Sequence, residues 1–322
     1  MYLEEDNSFI SNSKHMKKYI LFIGYLCSVA VLFYFSDFCL GAMFDKFLFL
    51  ENNPQLKRAY YGGDEDIAII GASRAAHHYV PSIITEETGL KCYNYGMDGR
   101  NIFNHFVVEQ EILSKSRPKL IILEVSSIDI EDTPKWNGEK LGNLYLLYKY
   151  DKNVKTIIDT LTHEEGMALS ISNLYRYNSS ILSLLVKKFH PLDDTSLQGY
   201  IPLYTEWSGN DDVIDNPKTS QVYPLKKEYL LKFIQGCQDA GVKLMVYNSP
   251  DFRIIKNQTT WENQIEKICG EYNVPFINHA GDSLFRAHKE WFNEPFHLND
   301  NGAHVYSLIV AKEINQLLIK NQ

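Results

Sequence analysis

Cysteine is scarce in this sequence, and the motifs of the common metal and nucleotide sites are missing. Five cysteines occur in 322 residues, too few for a fold that depends on disulfides. Since no two of them form a CxxC pair, a zinc ribbon or a thioredoxin-type redox site is not indicated. A Walker loop, GxGxxG and HExxH are also absent, which leaves nucleotide-binding and zinc-peptidase functions without support. We predict a protein that needs no metal and no cofactor.

The charge balance excludes further classes of protein. The chain carries 32 basic and 40 acidic side chains, for a net charge of −8, whereas a dedicated nucleic-acid binder normally presents a basic surface. Charged residues make up 22% and hydrophobic residues 45%, which is typical of a folded domain and not of a disordered chain. We therefore expect one large domain or two small ones, with no nucleic-acid partner.

A long apolar run lies near the amino terminus. Tyr19 to Phe35 has 17 residues without a charge, and Ser36 extends it before Asp37. At ~1.5 Å per residue the run reaches about 26 Å, close to the thickness of the hydrocarbon core of a bilayer. Three lysines precede it, which keeps the amino terminus in the cytoplasm and sends the remainder across. The sequence predicts a cytoplasmic end over 1–18, a transmembrane anchor over 19–36 and a linker over 37–64.

Two other interpretations of this run stay open. A cleaved signal peptide is one, although only the weak Leu40-Gly41-Ala42 follows as a cleavage site. A buried helix of a soluble protein is the other. The anchor and the signal peptide both place residues 50–322 outside the cytoplasm, on the periplasmic or extracellular face. The cysteines of that part are expected to be buried free thiols; they are Cys92, Cys237 and Cys269.

Apolar runs and helical patterns alternate over residues 65–320. Continuous apolar runs are typical of strands buried on both faces of a parallel sheet, and their alternation with helices predicts an α/β fold with about five strands. Residues 140–222 interrupt the pattern as a helical and loop-rich insertion, expected over the carboxyl ends of the strands. The predicted strands are 66–70, 91–95, 119–125, 243–248 and 274–278, and the predicted helices are 102–113, 154–161, 180–189, 225–240, 261–272 and 303–319.

Three segments that follow predicted strands or lie near the carboxyl terminus contain candidate site residues. Ser73 follows the first strand and begins a helix, which would expose its hydroxyl beside amides that can stabilise negative charge; an ordinary N-cap serine is the alternative. The segment 93–101 follows the second strand and contains Gly96 and Gly99; it could also be a plain turn. Glu294 precedes His297 by three residues, a spacing at which a carboxylate can hold Nδ1–H of the ring, although a surface loop histidine would look the same.

Together the three segments resemble the SGNH (GDSL-type) hydrolase superfamily. The matching residues are Gly71-Ala72-Ser73, Asn94 with Gly99, and Glu294…His297-Leu298-Asn299…Gly302. The resemblance implies a three-layer, flavodoxin-like domain. It also implies that Ser73 is the nucleophile, His297 the base and Glu294 the group that orients it, and that the amides of Ser73 and Gly99 hold the oxyanion. His77, Arg100 and Ser127 are expected as substrate-binding residues, and Arg74 as another side chain that could meet an anionic substrate.

The sequence departs from the family pattern in two places. The family's third block, Gly-x-Asn-Asp, has an asparagine that donates to the oxyanion, and Ile128 stands at this position here. Loss of one such donor typically costs ~2.7–4 kcal/mol of transition-state stabilisation, unless Ser126 or Ser127 replaces it. Glutamate also stands at 294 where aspartate is usual, and either carboxylate can orient a histidine.

These features predict an exported serine esterase or O-acyltransferase that acts on acylated glycans or cell-envelope polymers. The anchored chain looks similar to proteins that work beside polysaccharide O-acetylation or teichoic-acid D-alanylation machinery, which implies a membrane acyltransferase as a partner. A catalytically inactive binding or assembly partner is the main alternative, and a thioesterase or lipase is another. Aromatic residues of the insertion favour sugar stacking over packing of acyl chains; they are Tyr200, Tyr204 and Trp207.

Overall fold

A five-stranded parallel sheet forms the centre of the protein. The computed structural model describes residues 5–132, 141–178, 180–189, 197–209, 214–215, 222–255 and 260–319. The sheet has the order β2-β1-β3-β5-β7, and all neighbours are parallel. The five predicted strands are confirmed, with ends that differ by two residues at most. The strands are β1 (Ile67–Ile70), β2 (Cys92–Asn94), β3 (Leu120–Glu124), β4 (Ile214–Asp215), β5 (Lys243–Asn248), β6 (Ile254–Ile255), β7 (Phe276–Asn278), β8 (Phe292–Glu294) and β9 (His297–Leu298).

Helices separate the strands in the predicted order. Each predicted helix is present, and short 3₁₀ helices occupy 127–129, 142–147, 175–177 and 289–291. The α-helices are α1 (Glu5–Leu48), α2 (Pro54–Tyr61), α3 (Ser73–His78), α4 (Pro81–Thr88), α5 (Ile102–Lys115), α6 (Lys152–Leu161), α7 (His163–Ile171), α8 (Ile181–Phe189), α9 (Pro224–Ala240), α10 (Thr260–Glu271), α11 (Ser283–Arg286) and α12 (Asp300–Ile319).

Both faces of the sheet are covered, as its continuous apolar strands predict. Along β1, alternate side chains enter opposite cores, because successive residues of a strand point to opposite faces. Ile70 joins the core under α5 and α9, and Ile69 joins the core under α12, which also contains Tyr79 and Tyr306. The α/β fold with three layers is therefore confirmed. The three cysteines of this part are free and buried, as expected.

The segment expected as a linker is helical and packed. Helix α1 continues past the apolar run to Leu48, and the part from His15 to Leu48 is long and apolar enough to cross a membrane. The Asp37 carboxylate accepts hydrogen bonds from Ser172 Oγ (2.5 Å) and from the amides of Asn173 (2.6 Å) and Leu174 (3.1 Å). Asp45 binds a second group, which comprises Tyr150, Arg176 and Tyr177. These contacts hold the end of α1, which lies within the segment 37–64 expected as a linker, against the insertion.

Helix α2 lies within the same segment. Asn53 caps it by accepting a hydrogen bond of 3.0 Å from the amide of Leu56, and Pro54 occupies the first turn, where its missing N–H costs nothing. Leu56 and Ala59 are buried in the core beside α5. The polar composition of 51–64 concealed this helix because its apolar face is only two or three residues wide.

The insertion divides into two parts. Its helices α6 and α7 lie on the α5 side of the sheet, where Val154 and Ile158 join the core. Residues 197–209 cross instead toward the carboxyl end of β1, where Ile201 N donates to Ala76 O (2.9 Å) and Trp207 N donates to Phe292 O (2.7 Å). The expectation that the insertion covers the carboxyl ends of the strands therefore applies to this last part alone among the described residues.

Candidate active site

Ser73 stands where β1 passes into α3. The turn between them is tight, because a Cβ at Gly71 would lie 2.8 Å from both the Glu124 carbonyl oxygen and Ala75 Cβ. Glycine lets the chain pass this point and turn at once into α3, whose Ala75 and Ala76 are buried. The Ser73 side chain is thus held at the carboxyl edge of the sheet, at the start of a helix whose buried alanines pack against the domain.

A hairpin brings two further side chains to Ser73. Strands β8 and β9 pair antiparallel, and their register sets Glu294 opposite His297. The Glu294 carboxylate contacts Nδ1 of His297, and Nε2 of the same ring lies 2.7 Å from Ser73 Oγ. The structure therefore brings together the three residues that the sequence spacing singled out.

The proton positions in this chain of contacts follow from the acceptors. A carboxylate can only accept, so Nδ1 of His297 carries the proton that faces Glu294. Nε2 is then unprotonated and accepts from the Ser73 hydroxyl. This is the tautomer in which an imidazole can remove a proton from a serine.

His78 ties the hairpin to α3 from beneath. The Leu298 amide donates to Nε2 of this fully buried ring (3.0 Å), so Nδ1 carries the proton and donates to Ser249 Oγ (2.8 Å). Ser249 in turn donates to Glu124 Oε1 (2.7 Å). Burial, with the neighbouring His297 and Arg74, holds the pKa of His78 well below its usual value, so this ring is a neutral structural link.

The loop after β2 is fastened to α3 in a similar way. Asn94 donates through Nδ2 to the carbonyls of Ala75 (2.7 Å) and Tyr79 (3.0 Å), and its Oδ1 accepts from the Gly96 amide (2.8 Å). A Cβ at Gly96 would lie 2.2 Å from the amide nitrogen of Ala76. Asn94 and Gly96 thus let the loop lie directly against the helix that begins at Ser73.

Two backbone amides bear on the expected oxyanion site, that of Ser73 itself and that of Gly99 in the loop after β2. Gly99 has φ +64°, the left-handed region that favours glycine. Among the hydrogen bonds of the described residues, neither the amide of Ser73 nor that of Gly99 donates to an acceptor. Ser73 and Gly99 are the residues expected as oxyanion donors, and this role stays a prediction.

His77 faces the same side of α3 as Ser73. Its Nδ1 lies 2.7 Å from the Ile201 carbonyl and its Nε2 3.1 Å from Asp98 Oδ1. Both partners are acceptors, so both nitrogens can donate when the ring is protonated. Burial alone would lower the pKa of His77, but the hydrogen bonds to Asp98 and Ile201 outweigh it and raise the value. The ring centroid lies 5.4 Å from that of His297, so protonation of His77 places a positive charge beside the triad.

Three other residues were expected to contact a substrate, and each lies in a different environment. Arg74 is buried and donates to the Val125 carbonyl (2.5 Å) and Asn248 Oδ1 (2.7 Å), so it supports the floor of the site and cannot meet a substrate. Arg100 lies in the turn of Gly99, where burial lowers its pKa against the effect of Asp98. Ser127 begins the 3₁₀ helix after β3, and no hydrogen bond joins it to the triad within the described part of the chain.

The three aromatic residues expected to stack on sugar differ in exposure. Tyr200 is buried and donates through its hydroxyl to Asp300 Oδ1 (2.9 Å). Trp207 packs edge-on against Phe252 with centroids 4.8 Å apart. Tyr204 has 79% of its surface exposed, which makes it the one of the three with an open ring face.

A groove of about 1070 Å³ runs between α2 and residues 197–202. No triad residue lines it, but it ends at Ile201, whose carbonyl binds His77. Tyr61, Tyr93 and Arg58 form part of its wall. The groove therefore adjoins the candidate site and does not contain it.

Sequence reasoning missed the residues that hold the triad in place. Asp98, Ser249 and Glu124 have partners between 21 and 125 positions away in the chain, and nothing in their local spacing indicates this. Asn94 is one of the residues that carry the family resemblance, and His78 follows Ser73 by five positions, but neither position indicates the partner that the residue contacts. Among the described residues, no group of three or more His, Cys, Asp or Glu is placed to hold a metal ion.

Similarity to known proteins is limited to solved structures, since no family model and no curated sequence matches. An acetyl xylan esterase aligns at a TM-score of 0.39 with 14% identity, over 78% of this chain and 98% of that one. A protein of Bacteroides fragilis NCTC 9343 assigned as an acylhydrolase aligns at a TM-score of 0.39 with 10% identity, over 83% and 95%. A gut microbial diltiazem-metabolizing enzyme aligns at a TM-score of 0.27 with 14% identity, over 76% of this chain and 46% of that one. At such TM-scores these similarities do not identify an activity, so the chemistry has to be inferred from the geometry of the site.

Proposed function

We propose that this chain is a serine esterase or O-acyltransferase that works through an acyl-serine intermediate. One observation carries the proposal: Ser73 Oγ lies 2.7 Å from Nε2 of His297, whose Nδ1 faces the Glu294 carboxylate. A serine becomes a useful nucleophile when a neighbouring base takes its proton and a third group orients that base. Ser73, His297 and Glu294 are arranged as such a nucleophile, base and orienting group.

The reaction begins when Ser73 Oγ attacks the ester carbonyl carbon and its proton passes to Nε2 of His297. The tetrahedral intermediate collapses with cleavage of the bond to the ester oxygen, and His297 returns the proton to the leaving alcohol. Water or a sugar hydroxyl then gives a proton to His297 and attacks the acyl-serine. The Ser73–acyl bond breaks and Ser73 Oγ recovers its proton. Glu294 stabilises the imidazolium in both steps.

The amides of Ser73 and Gly99 are the proposed oxyanion donors. Their lack of acceptors among the described residues supports this role, because a preformed donor needs no rearrangement during the reaction. When it is protonated, His77 beside His297 adds positive potential on the same side; burial lowers its pKa, but the hydrogen bonds to Asp98 and Ile201 raise it above the usual value. These groups would offset the side-chain donor that Ile128 cannot supply.

The proposed place of work is outside the cytoplasm, with α1 as an uncleaved anchor. The lysines before the apolar run favour this orientation, and the contacts of Asp37 and Asp45 make the end of α1 a packed part of the domain. Cleavage after Ala42 would remove the contacts of Asp37. Acylated glycans or cell-envelope polymers are the proposed substrates, with Tyr204 as an exposed ring for sugar, and a membrane acyltransferase is the proposed partner.

A second candidate function is that of a non-catalytic binding or assembly partner that keeps the fold. Ile128 favours it, since an apolar residue stands where the related hydrolases have a donor. The intact Ser73–His297–Glu294 geometry favours catalysis, because a chain without activity has no need to preserve it.

A turnover assay separates the two. The full chain in detergent micelles would be incubated with 4-methylumbelliferyl acetate and with an acetylated oligosaccharide, beside Ser73→Ala and His297→Ala. We expect release of acetate, or its transfer to a second sugar, with a decrease of ~10³-fold or more in either variant. Equal rates in wild type and both variants would reject the proposal and leave the binding role.

A further inference from the structure

Two helices of the insertion expose apolar side chains beside α1. Helix α7 exposes Met167 and Ile171, which are one turn apart, and α8 exposes Leu182, Val186 and Phe189 at the spacing of a single face. Ile171 is 71% exposed, Leu182 72% and Phe189 74%. Large apolar side chains at this exposure mark an interaction surface when they cluster.

The position of α7 along α1 follows from Asp37. Ser172, which directly follows Ile171, donates to the Asp37 carboxylate (2.5 Å), and a Cβ at Gly41 would lie 2.4 Å from Asn173 Cβ. Ile171 therefore lies level with the end of the uncharged run. Helix α8 lies nearer the end of α1, where Lys188 pairs with Glu51 (2.9 Å) and Asn52 donates to Ser183 (3.4 Å).

Apart from Lys46, which is exposed one residue before Phe47, the exposed surface of α1 stays apolar over this distance. Asp37 and Asp45 are turned toward the insertion and bonded there, whereas Phe38, Met43 and Phe47 are exposed. From Tyr19 to Phe47 the helix has 29 residues, which span about 43 Å at ~1.5 Å each. That length exceeds the ~30 Å hydrocarbon core and equals the ~40–45 Å of a bilayer that includes its headgroup layers.

We infer that the apolar face of α7 and α8 lies in the headgroup layer of the bilayer that α1 spans, so that the domain rests on the membrane surface. The inference rests on α1 being the anchor proposed above. Amphipathic helices bind in this layer by burying their apolar face at the boundary of the acyl chains. Contact of this face with the membrane, together with the contacts of Asp37 and Asp45, would fix the height and tilt of Ser73 above the membrane.

Depth-dependent fluorescence quenching tests this placement. The full chain would be reconstituted in vesicles of phosphatidylcholine and phosphatidylglycerol, with and without phosphatidylcholine brominated near the headgroup end of its acyl chains. Ile171→Trp and Phe189→Trp probe the proposed face, Leu26→Trp probes the apolar run, and Tyr204→Trp is the exposed control. The signal of each introduced tryptophan is obtained by subtracting the fluorescence of the wild type, which has four native tryptophans.

We expect the brominated lipid to quench the tryptophans at 171 and 189 at least twofold more than that at 204, and acrylamide to quench them less. Quenching at 26 without quenching at 171 and 189 would overturn the inference and leave the anchor standing. Protection from both quenchers at 171 and 189 would mean that protein covers the face, which also overturns it. If the brominated lipid does not quench the tryptophan at 26, the anchor itself is rejected. Esterase turnover in the same vesicles reports on the proposed chemistry independently.

Discussion

The Leu298 amide donates a hydrogen bond of 3.0 Å to Nε2 of His78. Leu298 follows the candidate base His297 in the chain, and His78 lies five residues after the candidate nucleophile Ser73. This single bond therefore joins the two elements whose spacing sets the Ser73–His297 distance. Because burial holds the pKa of this ring well below its usual value, the ring remains an acceptor at neutral pH.

Replacement of His78 by leucine should impair turnover more than binding. The Leu298 amide and Ser249 would lose a partner, at a cost of about 1–3 kcal/mol for each unpaired group, and the hairpin would shift relative to α3. A displacement near 1 Å lowers rates ~10²-fold, so we expect kcat to fall with little change in KM. His78→Gln, whose amide oxygen can accept from Leu298, should recover part of the rate. A His78→Leu protein that is folded and keeps the wild-type kcat would contradict this role.

Glu294 offers a test of orientation in the triad. Glu294→Gln keeps the shape but cannot stabilise an imidazolium, so we expect kcat to fall between ~10² and ~10⁴-fold. Glu294→Asp retains the charge at a shorter reach and should give an intermediate rate. Glu290→Gln is the matched control, since Glu290 forms an exposed pair with His288 (2.7 Å). Equal rates in Glu294→Gln and Glu290→Gln would exclude Glu294 from catalysis.

Gly96 should tolerate no side chain. An added Cβ would meet the backbone of Ala76 at 2.2 Å, and neither segment can move without disturbing Asn94 and α3. We expect Gly96→Ala to lower the unfolding free energy by about 3 kcal/mol, at the upper end of overpacking effects. Gly270→Ala is the control: it lies in α10 with open space around it and should stabilise by up to ~1 kcal/mol. Urea unfolding of both variants measures the difference, and similar curves would refute the close contact.

The pair of His77 and Asp98 predicts a pH dependence of stability. A histidine whose pKa is raised by folding stabilises the fold below its unfolded pKa of ~6.5 and loses this contribution as the pH rises through the folded value. The pKa of Asp98 is lowered, by its hydrogen bond to His77 against the effect of burial. Its contribution is therefore present above the unfolded pKa of ~3.9 and is lost as the pH falls through the folded value. The pair should stabilise the fold most between these limits.

Asp98→Asn removes the carboxylate that raises the pKa of His77. The decrease in unfolding free energy from about pH 6 to about pH 9 should become smaller than in the wild type, although solvent limits the effect because the Asp98 side chain is 62% exposed. Asp64→Asn removes a surface carboxylate that pairs with Lys91 and Arg58 and should keep the wild-type slope. Identical slopes in all three proteins would show that His77 is not cationic in the fold.

The sequence predicts those parts of the structure that local pattern determines. The strand 120–124 is recognisable because a strand buried on both faces is apolar throughout, and Ser73, Glu294 and His297 were found by their spacing to strands and to each other. The contacts of the segment 37–64, expected as a linker, are not predictable from the sequence, because Asp37 and Asp45 look like the polar end of an anchor. Their partners lie more than 100 residues away, and only the tertiary fold brings them together.

The substrate-binding expectations depended even more on tertiary contacts. Arg74 looks like an exposed cation in the motif, but β3 and β5 surround it with carbonyl and amide oxygens. His77 was expected to bind substrate, but in the fold its ring nitrogens contact Asp98 and Ile201. Neither partner is predictable from helical spacing.

Covalent labelling of Ser73 tests the central claim most directly. The full chain in detergent micelles would be treated with a fluorophosphonate, and the modified residue would be located by tandem mass spectrometry. Ser73→Ala and His297→Ala would be treated beside it after circular dichroism shows that all three are folded. We predict one adduct per chain, on Ser73, in the wild type and none in either variant. A folded wild-type protein that is not labelled, or that is labelled on another residue, would contradict the account.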